Sequence, residues 1–156
     1  VQGNWSLRIT DNANIDEGVF NSWKLALGLS KATVVEKTEA PGLRIPDNDS
    51  LGIDRDLEVV ESGTVKEIEI DIDLTHTYIG DLSLHITSPQ GTQIGLHSRT
   101  GGSANNLIKK YSLLNTPELN TLKGENISGN WKLHIDDRAD VDTGKLNQWG
   151  IKIILE

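Results

Sequence analysis

The stretch Ser128–Ile153, SGNWKLHIDDRADVDTGKLNQWGIKI, decides how this 156-residue chain is read. In its first half Trp131, Leu133 and Ile135 alternate with Lys132, His134 and Asp136, the period of two that marks a half-buried strand. The polar run Asp136 to Gly144 reads as a loop, its glycine able to supply a positive φ. Leu146, Trp149, Ile151 and Ile153 make a return strand, so the stretch is expected to be a β-hairpin. Residues 2–27, QGNWSLRITDNANIDEGVFNSWKLAL, repeat it without a gap at an offset of 126 residues. Eleven pairs are identical, among them Trp5/Trp131 and Trp23/Trp149, and the two copies hold all four tryptophans. Such an offset exceeds the roughly 20–50 residues of a solenoid repeat and fits a whole domain repeated in tandem. Residues 1–30 are therefore expected to be the C-terminal hairpin of a preceding copy, 31–42 a linker, and 43–156 a complete domain.

Working outward, the chain keeps to short alternating runs. Ile68, Ile70, Ile72 and Leu74 face one way and Glu67, Glu69, Asp71 and Asp73 the other. Leu82, Leu84 and Ile86 alternate next, ended by the turn Ser88-Pro89-Gln90-Gly91, and Thr92 to His97 returns. A shorter strand is expected around Leu57 to Val60. Arg99 to Asn106 is a glycine-rich loop, and Tyr111 to Gly124 an irregular connection. Helical periodicity is absent, so the pattern predicts an all-β sandwich. With no cysteine there is neither a disulfide framework nor thiolate chemistry. A formal charge of −8 has the wrong sign for nucleic acid or an anionic membrane surface, and no apolar run reaches the roughly 18 residues of a membrane span.

In order along the chain come Ile45-Pro46-Asp47, His76-Thr77-Tyr78-Ile79-Gly80-Asp81-Leu82, Ser88-Pro89-x-Gly91-Thr92 and Gly101-Gly102. Gly129-Asn130-Trp131-x-Leu133 and Gly144-x-Leu146-x-x-Trp149 complete the set. In this order the motifs resemble the P domain (P/homo B domain) of proprotein-convertase and kexin-like subtilases, bacterial type, over about Leu43 to Leu155. The resemblance implies a jelly-roll-like β-sandwich of about eight antiparallel strands, non-catalytic, carried by a secreted bacterial subtilisin-like serine endopeptidase. Its implied work is to support folding and stability of the catalytic domain or to engage substrate or a surface. The implied partners are that catalytic domain, a neighbouring P domain and a protein substrate. One departure stands out: the residues just upstream look like another P domain's tail.

The residues that could carry chemistry are few. His76, Asp81 and Ser83 lie near one another in sequence, but no Gly-x-Ser-x-Gly or His-Glu-x-x-His motif accompanies them, so catalysis is not expected. Calcium is the candidate cofactor, because hard cations take about six to eight oxygen ligands and Asp136, Asp137, Asp140 and Asp142 crowd one loop. Asp81 and Asp47 lie in further acidic turns and are added as candidate ligands; Asp71 and Asp73 read as solvated charges. The alternative to a metal is that Asp137 caps its own turn. Trp131 and Trp149 share a face with aliphatic neighbours and are expected in the core, which weighs against a carbohydrate- or matrix-binding adhesion module. His85, His97 and His134 are isolated on strands without metal-ligand spacing. The apolar positions Trp5, Leu7, Ile9, Trp23, Leu25 and Leu27 are expected to pack, on the main domain or on another molecule as a swap.

Overall fold

The computed structural model describes residues 4–12, 14–15, 17–26 and 32–156. The chain falls into two units, Val1–Ser30 and Lys31–Glu156. In the first, the described residues form neither strand nor helix, so the expected hairpin is not formed there, and Trp5 and Trp23 are 56% and 50% exposed. Leu27 lies outside the described residues.

The second unit is an all-β sandwich of nine strands: β1 Val34–Glu39, β2 Leu43–Ile45, β3 Asp49–Val59, β4 Val65–His76, β5 Leu82–Thr87, β6 Gln93–Ser98, β7 Leu107–Tyr111, β8 Gly129–Asp137 and β9 Gly144–Leu155. One sheet runs β1-β9-β4-β7 with β2 also on β9; the other runs β3-β8-β5-β6. Every pairing is antiparallel. The alternation along β4, β5, β8 and β9 puts Ile68, Ile70, Ile72, Leu82, Leu84, Ile86, Trp131, Leu133, Ile135, Trp149 and Ile153 into one core between the sheets. Each such side chain stabilises the fold by about 1.5–3 kcal/mol through burial.

Three expectations need correction. β8 and β9 are strands as read, but they do not pair with each other: β8 lies between β3 and β5, β9 between β1 and β4. The run from Asp136 to Gly144 is thus an arch from one sheet to the other. The physical reason lies in the apolar faces, which bury more against each other from opposite sheets than side by side in one. The stretch 31–42, expected as a linker, contains β1, whose six residues pair with β9 and whose Val35 is buried. Its sequence VVEKTE shows little alternation because a sheet-edge strand needs only one anchor. The connection after Asn106 holds a further strand, β7, where LIKKY buries only Leu107 and Tyr111.

Register fixes two ends of the sandwich. Val34 pairs with Ile154 and Val65 with Leu155 at one end; Ile45 and His76 both pair with Gly144 at the other. Asp137 pairs with Asp49 and Leu82 at that second end, so the turns after β2, β4 and β8 gather there.

Candidate functional site

At this loop end the sequence motifs meet. His76 closes β4 with its side chain fully buried, and its Nε2–H donates to Asp137 Oδ2 at 3.0 Å across 61 residues of chain. The Nδ1 of the same ring stands 3.1 Å from the Tyr78 N–H and 2.9 Å from the Tyr78 carbonyl. Unprotonated, it accepts the former; protonated, it donates to the latter. Asp137 also accepts the Ala139 N–H at 3.2 Å, so its carboxylate caps its own turn as the alternative to a metal required. Burial pushes the Asp137 carboxyl above its ordinary range, against the Ala139 and His76 hydrogen bonds that favour its charged form. Gly144 makes the latch possible by close approach rather than by an unusual φ: a Cβ there would enter the His76 ring and press on the Thr75 carbonyl.

The rest of the arch is tied to its neighbours one carboxylate at a time. Asp140 accepts from Asn48 Nδ2 at 2.6 Å, Asp142 from Thr77 Oγ1 at 2.6 Å, and Asp47 from the Val141 N–H at 3.2 Å. Asp136 is buried on the other side of β8 and pairs with Arg138. The backbone carbonyl of Asp81, itself buried, accepts the Arg138 N–H at 3.1 Å. The glycine loop closes the end, with Gly80 N–H donating to the Gly102 carbonyl and His97 Nε2 to the Ile79 carbonyl at 2.8 Å. Val141 is held at φ 90°, a costly value for a β-branched residue, and Ile15 at the matching position of the first copy has φ 99°.

The structure therefore brings Asp47, Asp81, Asp137, Asp140 and Asp142 to one end and turns Asp136 onto the outer sheet face. Among the described residues no three His, Asp or Glu side chains are arranged to hold a metal ion. Asp71 and Asp73 lie elsewhere, Asp71 near Lys110 at 3.5 Å and Asp73 accepting from Asn147 at 3.0 Å. Trp131 and Trp149 are fully buried and their indole N–H groups donate to the Ile127 carbonyl at 3.0 Å and to Glu39 at 2.6 Å. Glu39 also takes both ends of the Arg55 guanidinium, at 2.9 and 2.7 Å. Nothing in the sequence around Glu39 signalled this, because its partners come from β3 and β9.

Order, register and the buried tryptophans of this sandwich agree with a family comparison. The proprotein convertase P-domain family matches residues 1–27 and 65–153. The chain belongs to this family. Its P domain is 35% identical over 112 residues to the "Calcium-dependent protease" of Trichormus variabilis, covering 70% of this chain and 17% of that protein. It is 29% identical over 140 residues to "Leupeptin-inactivating enzyme 1" of Streptomyces exfoliatus, covering 88% of this chain and 30% of that protein. The chain thus spans less than a third of either relative. The serine protease of Aeromonas sobria shares the fold, with a TM-score of 0.65 at 16% identity over 82% of this chain and 28% of that one. Among the described residues no helix is long and apolar enough to cross a membrane.

Proposed function

We propose that Lys31–Glu156 is a non-catalytic accessory domain of a larger secreted bacterial protease of the subtilisin-like serine class, and that residues 1–27 are the tail of a preceding copy. The observation that carries the accessory role is where the polar side chains of the family motifs go. His76, Asp137, Asp142 and Thr77 hydrogen-bond one another or nearby backbone, and Ser83 stands on β5 opposite Asp136 with no histidine base recorded beside it. Such a domain acts by binding: it docks on the catalytic domain, stabilises it by mass action, and engages protein substrate. The family match on both 1–27 and 65–153 supports a second copy upstream. The apolar side chains of 4–26 would then belong against that copy's sheets, or in this chain alone against a second molecule. An adhesion module stacking sugars on Trp131 and Trp149 is disfavoured, since both indoles are buried.

The test is to express the parent catalytic domain with and without this unit. The expected result is lower yield and a lower melting temperature without it; equal stability, secretion and substrate binding would reject the role. Calcium enters through the name of one relative. It would bind at the loop end, where exposed Asp140, Asp142 and Asp47 would exchange Asn48, Thr77 and the Val141 N–H for the ion, beside Asp81. A melting temperature raised by millimolar calcium, and insensitive to it in Asp140→Asn/Asp142→Asn, is the expected outcome. No response in the unaltered chain would remove calcium from the proposal.

A further inference from the structure

The outer face of the β3-β8-β5-β6 sheet carries a cluster that neither the loop-end latch nor the family motifs use. His85 of β5 and His134 of β8 are directly paired across the strands, and their rings stack with centroids 4.6 Å apart and planes 25° apart. His134 lies between two carboxylates, its Nδ1 2.7 Å from Asp54 on β3 and its Nε2 3.4 Å from Asp136. Lys132 reaches Asp54 at 3.6 Å, and Arg138 holds the far side of Asp136. Asp56 pairs with Lys132 across β3 and β8 on the same face. On the other side of His85, β6 brings Gly95 and no ionisable group.

The internal repeat shows that the fold does not require this cluster. The inward residues of β8 recur unchanged as Trp5, Leu7 and Ile9, and Asp137 and Gly144 of the latch recur as Asp11 and Gly18. The outward residues Lys132, His134 and Asp136 are Ser6, Arg8 and Thr10 in the first copy. The histidine pair is thus a feature of this unit, placed on a scaffold that forms without it.

We infer that the stacked His85–His134 pair is an acid-responsive element, closed at neutral pH and opened when both rings carry a proton. Two cations face to face at this spacing repel, while the neutral stack is favourable. The protons also change the face as a whole: Asp54, Asp56 and Asp136 outnumber Lys132 and Arg138, and charged histidines reverse that excess. Burial is the first cause lowering the proton affinity of His85, with the charge of His134 second, opposed by Asp136 and Asp54. A base whose folded-state affinity is lowered contributes stability above its unfolded pKa that is lost as pH falls through that value. Acid therefore weakens the fold at this pair.

Ring-proton NMR titration of the whole chain tests this, with His85→Gln assigning the resonances. The His85 midpoint is expected below the ordinary histidine value, and a ring-to-ring contact signal with His134 should vanish across it. His134→Gln should raise that midpoint and His134→Arg, the residue of the first copy, should lower it, each by about 0.5 pH unit. A midpoint that ignores both variants, or a stack that persists in acid, overturns the inference.

Discussion

Gly144 and Gly18 occupy matching positions in the two copies but meet different surroundings. A methyl group on Gly144 would collide with the His76 ring and the Thr75 backbone, whereas Gly18 has open space around it. Backbone cannot retreat as a flexible side chain can, so Gly144→Ala must break the His76–Asp137 latch or shift β4 against β9. The expected cost is about 1–3 kcal/mol of unfolding free energy, with Gly18→Ala within about 0.5 kcal/mol of the unaltered chain. Denaturant titration of both variants checks this, and equal midpoints would show that the latch bears no strain. The motif spacing located Gly144 but suggested a turn with positive φ. Its true constraint is a ring packed from a strand 68 residues earlier, which no local pattern encodes. Asp137 was legible as a capping residue; its histidine partner was not, for the same reason.

At the scale of elements, β1 joins the two sheets through one carboxylate. Glu39 receives the Trp149 indole from β9 and the Arg55 guanidinium from β3, and the Arg55 hydrogen bond holds its carboxyl below the ordinary range. Glu39→Ala leaves the buried indole N–H without an acceptor and is expected to cost about 2–3 kcal/mol; Glu39→Gln keeps an acceptor and should cost about 1 kcal/mol. The depressed carboxyl contributes stability above its unfolded value of 4.5 that is lost as pH falls through the folded one. Asp137 has the opposite sign, since its raised carboxyl makes protonation favourable to the folded state. A flatter stability profile below about pH 4.5 in Glu39→Gln than in the unaltered chain is the measurement that separates the two. Strands with a full buried stripe, β4, β5, β8 and β9, were legible from alternation alone. β1 and β7 were not, because edge strands satisfy their ladder on one side and bury one or two residues each. Which strands pair was hidden as well: alternation marks an inward face but is silent on which sheet the strand joins, so β8 and β9 read as a hairpin.

For the whole molecule, the distribution of tryptophan separates the two units. Trp131 and Trp149 are fully enclosed by the core of Lys31–Glu156, while Trp5 and Trp23 are about half exposed. That core has β1 at its own edge, both sheets complete, and Leu155 N–H bonded to the Thr33 carbonyl at 2.9 Å, so its ladder begins after residue 31. A chain of 31–156 is therefore expected to fold cooperatively with an unfolding midpoint within a few degrees of the full chain. Its emission should shift to shorter wavelength, since only enclosed indoles remain. The full chain should also self-associate with rising concentration through the apolar side chains of residues 4–26, and the shortened chain should not. Sedimentation and fluorescence on the two chains decide this together. If 31–156 fails to fold, residues 1–30 are part of the domain rather than the tail of another. If it folds but both chains remain monomeric at high concentration, the exposed side chains of 4–26 do not serve as an interface between copies.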